Sequence, residues 1–162
     1  MYNYHNKVMP QTINSNPNMA ISLPAAITGG IILIAYFLVL SMLGLETVTE
    51  LRFINFILLI PIIVYSLRTY VNNAQEKSYL EAFRVSILSF FGSYLILAVF
   101  MLFYLLVIDK VFMAYLQEYV IPGVKLNAFG AMALIIGEGA IGSVILSFVI
   151  LQFYKGRIKR VA

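Results

Sequence analysis

Four long apolar runs limit what this chain can fold into more strongly than any other feature of its sequence. Charged side chains are missing from three of the runs, and Glu138 alone interrupts the fourth; the runs cover residues 8–45, 53–67, 85–108 and 126–154. About 20 consecutive apolar residues carry a helix across roughly 30 Å of hydrocarbon. Inside a bilayer every backbone N–H and C=O group must be paired within the protein, and a helix pairs them. The pattern therefore predicts an all-α integral membrane protein with four transmembrane helices.

The ends of these runs predict where the spans and the tails lie. Pro24 suits the first turn of a helix, so we place the first span after it and assign residues 1–24 to a polar tail rich in Asn and Pro. Residues 155–162 are predicted to form a basic tail. The predicted spans cover about residues 25–45, 51–68, 84–108 and 126–154.

The second span is short for a bilayer. Its apolar part, residues 53–67, rises only about 22 Å at 1.5 Å per residue. Arg52 and Arg68 bracket it, and we expect their side chains to reach the two interfaces. Pro61 is expected to kink the helix.

Helical spacing also extends outside the spans. Leu80, Phe83 and Ile87 follow such a spacing, so we expect the third helix to begin near Tyr79. Between the third and fourth spans, apolar residues recur at intervals of three and four, which predicts a short amphipathic helix. These residues are Val111, Phe112, Tyr115, Leu116 and Tyr119.

The distribution of Lys and Arg predicts the orientation in the membrane, because cytoplasmic loops carry an excess of basic residues. With the N-terminus inside, eight basic residues fall on the cytoplasmic side and three on the other. The eight are Lys7, Arg68, Lys77, Arg84, Lys155, Arg157, Lys159 and Arg160, and the three are Arg52, Lys110 and Lys125. We therefore expect both termini in the cytoplasm. Arg68 and the four basic residues after Tyr154 are the predicted topology and lipid-contact residues.

The residue types that are missing exclude several kinds of chemistry. The sequence has no cysteine and one histidine, His5, which lies in the polar tail. Thiolate nucleophiles, Cys-based zinc or iron–sulfur sites and a bis-histidine haem site are thereby excluded, and we expect no cofactor and no metal. The net charge of +4 comes from residues that flank the apolar runs. This placement favours membrane lipids over nucleic acid as a partner.

Glu138 is the one charged residue inside an apolar run, near the middle of the fourth span. An ionisable group at such a depth costs roughly 2.5–3.5 kcal/mol to insert, so it should face protein or water. Asn127 and Gln152 fall close to the same line of the helix at 100° per residue. Ser93 and Tyr94 are expected at a matching depth in the third span. These residues make up the predicted intramembrane polar site.

Two interpretations of this site stay open. No Lys or Arg lies inside an apolar run to neutralise Glu138, and no second acid lies beside it. Burial without a cation disfavours the charged form. In the first interpretation, a protonated Glu138 makes an interhelical hydrogen bond worth about 0.6 kcal/mol on average. In the second, Glu138 is a proton or cation site, or a polar contact with a partner subunit.

Small residues predict where helices approach each other closely. Glycines thin the fourth helix around the acid, and serines line one side of the third. The predicted packing residues are Gly130, Gly137, Gly139 and Gly142 in the fourth span, and Ser86 and Ser89 in the third.

The order of features between Asn55 and Gly156 resembles a family of small four-span inner-membrane proteins frequent in Bacteroidota, domain-of-unknown-function family 4199. The shared features are a helix ending in Arg68-Thr-Tyr, the stretch Ser78-Tyr-Leu-Glu-Ala-Phe83, a long third span, an acidic linker and a glycine-rich fourth span with a basic end. The resemblance implies a bacterial cytoplasmic membrane and a four-helix fold, and it implies no activity.

Two functions fit these observations, and neither is enzymatic. A single intramembrane acid without a histidine or second acid supplies no catalytic pair. The first hypothesis is a non-catalytic accessory or structural subunit of a larger membrane protein complex, with other membrane subunits as partners. The alternative is a small oligomeric proton- or cation-coupled transporter that uses Glu138.

Overall fold

A computed structural model describes residues 17–73, 78–108, 112, 116 and 127–158, and this part of the chain is helical without strands. Its long helices are α1 (Pro17–Met42), α2 (Phe53–Asn73), α3 (Tyr79–Phe103) and α4 (Ala128–Ile158). A 3₁₀-helix at Thr49–Arg52 leads into α2, and a π-helical turn at Tyr104–Ile108 continues α3. All four helices are long and apolar enough to cross a membrane. The predicted all-α fold with four helices able to span a membrane is confirmed for the described residues.

Helix α1 begins earlier than predicted, at Pro17, and Pro24 lies in its interior. The prediction that residues 17–24 belong to the tail was wrong, because contacts of the two polar residues in this segment stabilise it as helix. Asn18 and Ser22 are buried, and the Asn18 amide donates a hydrogen bond to the Glu81 carboxylate of α3. The remainder of the predicted tail, residues 1–16, lies outside the described residues.

Helix α2 is longer than the predicted span and ends at Asn73. Its 21 residues rise about 31 Å, which removes the apparent mismatch with the bilayer. The added turn is stabilised by burial of Tyr70 and Val71. The Tyr70 hydroxyl also accepts a hydrogen bond from the Ser78 N–H at 3.1 Å, which joins the end of α2 to the start of α3.

The other boundaries lie near their predicted positions. Helix α3 begins at Tyr79, as predicted, and α4 continues to Ile158, four residues beyond the predicted end. Most of the predicted amphipathic helix lies outside the described residues. Phe112 and Leu116, which are described, are both buried in the core.

Helix α3 is the centre of the bundle. It packs most extensively against α1 and α4 and also contacts α2, whereas α1 and α4 lie on different sides of it. The core is built around Phe90 and Tyr94 of α3, together with Leu33 of α1, Leu59 of α2 and Leu151 of α4. In the most apolar part of each span, only 28–39% of residues are buried, so most residues of these segments keep some surface outside the bundle core.

Small side chains bring α1 and α3 close together. A Cβ atom added to Gly92 of α3 would lie 2.7 Å from the Cβ of Ala26 in α1. At the same level the Ser93 hydroxyl donates to the Ala26 carbonyl at 3.2 Å and to the Ser89 carbonyl at 2.8 Å. In membranes such interfaces depend on close packing and interhelical hydrogen bonds, because lipid is as apolar as the side chains.

The predicted packing serines are buried in this central helix. Ser86 and Ser89 are fully buried, and their hydroxyls donate to the carbonyls of Ala82 and Val85 one turn earlier. Their polar atoms are therefore satisfied within α3, and their small volume leaves room for the neighbouring helices.

We predict that Gly92→Ala destabilises the bundle by about 1–3 kcal/mol, the usual cost of overpacking a close contact. Adding Ala26→Gly removes the opposing methyl group and should restore most of the loss. Thermal unfolding in detergent, followed by the helical circular dichroism signal, measures both effects. Equal stability of the single and double variants would contradict the close α1–α3 contact.

Candidate functional site

Glu138 lines a cavity of about 70 Å³ between the helices. All four helices and the α1–α2 connection contribute polar groups to its wall. These are Tyr36 of α1, Glu46 and Arg52 of the connection, Asn55 of α2, Tyr94 of α3 and Glu138 of α4. The rest of the wall is mostly aliphatic and aromatic. Glu138 thus faces a space inside the protein where other polar side chains also lie, as expected from the cost of inserting an acid into a membrane.

The acid lies closer to one end of α4 than the sequence indicated. The helix starts at Ala128, and Glu138 is about 15 Å along it, whereas about 30 Å of helix follows. Glu138 is therefore in the part of α4 that lies nearer to the α1–α2 connection, whose residues line the same cavity.

Tyr94 is the direct partner of the acid. Its hydroxyl donates to Oε1 of Glu138 at 3.4 Å. This distance is long compared with the roughly 2.7–2.8 Å typical of O–H···O bonds, so the bond is weak. The Tyr94 ring stacks on Phe90 with centroids 5.2 Å apart and lies 5.9 Å from Phe56. The aromatic cluster fixes the hydroxyl beside the acid and leaves most of the carboxyl group available.

Arg52, which lies just outside the second apolar run, brings a positive charge to the cavity that Glu138 lines. It ends the 3₁₀-helix before α2, and its side chain lines the cavity and acts electrostatically on the Glu138 carboxylate. The segment is fixed to α1 by the Tyr36 hydroxyl, which donates to the Leu51 carbonyl at 3.0 Å. Arg52 therefore lies where the connection passes over the end of the cavity.

Glu46 is a second acid in the same cavity, which sequence reasoning missed. Its Oε2 atom is buried and has no hydrogen-bond partner among the described residues. Among the described residues, the one ion pair with an N···O distance below 4.0 Å joins Arg84 to Glu81. Arg52 therefore forms no ion pair within this distance with either cavity acid. An acid in a short loop normally indicates a solvent-exposed turn, so the sequence contained no signal for Glu46. Asn55 was detectable, since it follows Arg52 by one helical turn.

The other predicted polar residues have separate roles. Asn127 caps α4, with its Oδ1 accepting from the Gly130 N–H at 2.7 Å. Gln152 lies toward the opposite end of α4 and donates to the Tyr79 hydroxyl at 2.9 Å. Ser93 bonds toward α1. Of the predicted intramembrane polar site, the structure therefore brings together Glu138 and Tyr94 but not Asn127, Gln152 or Ser93.

The glycines of α4 also differ in their surroundings, since some contact a neighbouring helix and others do not. A Cβ atom on Gly139 would lie 2.5 Å from the Cβ of Tyr94, and one on Gly142 would meet the ring of Phe56. These two glycines permit the approach of α3 and α2. Gly137 is exposed, with no atom within 4 Å of an added Cβ, so it packs against no described helix. For Gly130, the described contact is the capping bond to Asn127.

The basic residues predicted to set the topology lie at the other end of the bundle. Arg68, Lys155 and Arg157 are exposed there, near the ends of α2 and α4. The Arg157 guanidinium lies 5.8 Å from the ring centre of Tyr154. Lys159 and Arg160 lie outside the described residues.

A second, smaller space adjoins the first. This cavity of about 40 Å³ shares Arg52, Met101, Ile135 and Glu138 with the larger one and continues along Leu134 of α4. Glu138 and Arg52 therefore line both spaces, one between all four helices and the other in the α3–α4 crevice.

The chemistry of the site follows from these groups. No cluster of three or more His, Asp or Glu side chains within the described ranges could hold a metal ion. Comparison with protein-family models, curated proteins and solved structures found no match. The arrangement can hold a proton on a carboxyl group or bind a small charged molecule between two acids and an arginine.

We predict that Gly139→Ala destabilises the protein by about 1–3 kcal/mol, because its methyl group must displace Tyr94. Gly137→Ala is the matched control on the same helix, and it should be neutral or slightly stabilising, since alanine favours helix by about 1 kcal/mol. Thermal unfolding in detergent compares the two. Equal effects at both positions would contradict the described face of α4.

Proposed function

We propose that this protein is a small membrane transporter that couples movement of a charged solute to a proton or another cation through Glu138. We further propose that it lies in a bacterial cytoplasmic membrane with both termini in the cytoplasm. The sequence alone favours an accessory subunit, and the cavity shifts the preference to the transporter. The observation that carries this proposal is an intramembrane carboxyl group that faces a cavity also lined by Arg52 and Glu46.

The geometry supports coupling by competition. A carboxyl group in a mostly apolar cavity is stabilised either by a bound proton or by a nearby cation. Tyr94 gives Glu138 one weak hydrogen bond, and Arg52 makes no ion pair with it within 4.0 Å in the described structure. A proton and a cationic solute would therefore compete for Glu138, and exchange of one for the other couples their movements. No bond in the solute is broken, so the proposed function is non-enzymatic.

One observation favours the accessory-subunit hypothesis as a second candidate. Gly137 is exposed in a span whose neighbouring surface is apolar, with Ile141 66% exposed one turn further along α4. A glycine with open space above it permits close approach of another transmembrane helix. That helix would come from a partner subunit or from a second copy, as a small oligomeric transporter requires.

We predict that vesicles containing the purified protein change their internal pH when a transported solute is added outside. A panel of small polar solutes is added singly, and a trapped pH-sensitive dye reports the change. Glu138→Gln should reduce the response to that of protein-free vesicles, because the amide cannot exchange a proton. Glu50→Gln is the control, since Glu50 is exposed and does not line the cavity.

Either of two results would count against the transporter. One is an equal response from the Glu138→Gln variant and the unmodified protein. The other is no response to any solute, combined with stoichiometric co-purification of other membrane proteins in mild detergent. The second result would favour the accessory subunit.

We predict that labelling of single introduced cysteines will show the orientation of the protein in the membrane, since the natural chain contains no cysteine. Glu50→Cys, in the α1–α2 connection, should react with a membrane-impermeant maleimide in intact cells. Gly156→Cys, near the exposed end of α4, should react only after the membrane is permeabilised. The reverse pattern would place both termini outside.

A further inference from the structure

We propose that the cavity beside Glu138 binds a small organic monocation, namely a primary ammonium group carrying a short apolar chain. This inference rests on the proposed function, since it names the class of solute that competes with the proton.

The formal charge of the cavity calls for one positive charge. Glu46 and Glu138 contribute two negative charges and Arg52 contributes one positive charge, so these three residues together carry −1. An uncompensated charge in surroundings of low polarity is costly. A monovalent cation neutralises the site, whereas a zwitterion leaves the imbalance and an anion increases it.

The hydrogen-bonding groups also match an ammonium ion. Oε2 of Glu46 is buried and accepts no hydrogen bond within the described structure. Glu138 accepts one long bond from Tyr94. The site therefore has surplus acceptors, and an ammonium group supplies three donors and no acceptor.

The remaining wall suits an apolar chain. Phe37 and Phe112 contact each other with ring centres 6.1 Å apart, and Leu33, Leu97 and Ile135 complete that side. An inorganic cation would leave this surface unused, because hard cations prefer a shell of oxygen ligands. The cavity of about 70 Å³ has room for roughly five waters at about 10–15 Å³ each, close to the five non-hydrogen atoms of butylammonium.

The test is equilibrium binding of butylammonium to the full-length protein in lipid nanodiscs, by ligand-observed NMR titration with protein-free nanodiscs as the blank. Butanol and butyrate are the control ligands of similar length. Butanol carries no charge, and butyrate carries a negative charge. We expect butylammonium to bind at least about tenfold more tightly than either. Sodium at equal concentration should not displace it.

Four variants separate the proposed roles. Glu46→Gln and Glu138→Gln should each weaken butylammonium binding by at least about tenfold. Arg52→Gln should strengthen it, because removing the arginine leaves two negative charges for the ligand. A residue with a merely structural role would not increase affinity when replaced. Glu50→Gln should have no effect, and helical circular dichroism verifies that each variant is folded.

Four results would overturn the inference: tighter binding of butyrate, equal binding of butanol, displacement by sodium, or loss of affinity in the Arg52→Gln variant. Binding does not require transport, so the two proposals fail separately. Butylammonium binding without solute-driven pH changes contradicts only the transporter, and a Glu138-dependent pH change without butylammonium binding contradicts only the ligand class.

Discussion

The close contact between Gly139 of α4 and Tyr94 of α3 is the interaction on which the candidate site depends. The α4 backbone approaches so closely that a Cβ atom on Gly139 would lie 2.5 Å from that of Tyr94. Glu138 precedes Gly139 in the chain, so the same approach brings its carboxylate to the Tyr94 hydroxyl. Tyr94 is itself held by stacking on Phe90. One helix contact therefore sets both the packing of α4 and the position of the acid.

The central helix α3 packs against its neighbours with different kinds of side chains on its different faces. Toward α1 it offers Gly92 and Ser93, which allow close approach and an interhelical hydrogen bond to Ala26. Toward α2 and α4 it offers the rings of Phe90 and Tyr94. Because lipid competes equally for apolar surface, steric fit and hydroxyl groups determine which helices pair.

The α1–α2 connection adds two charged side chains to a cavity that residues of all four helices line. It carries Glu46 and Arg52 over the end of the bundle, where both line the space beside Glu138. In an apolar environment charged groups are most stable when they face one another or a common polar space. The connection therefore contributes to the site as much as the span that contains the intramembrane acid.

The sequence by itself determined the class of fold, the number of spans and the start of α3, because hydrocarbon thickness and backbone pairing allow few other arrangements for such apolar runs. It also identified Glu138 and Tyr94. The earlier start of α1 and the full length of α2 depended on contacts of Asn18 and Tyr70 with α3, which local composition does not encode. Only the tertiary structure placed Glu46 and Arg52 beside Glu138 and gave Asn127 and Gln152 other partners, because cavity membership depends on how separate helices meet and not on the spacing within one.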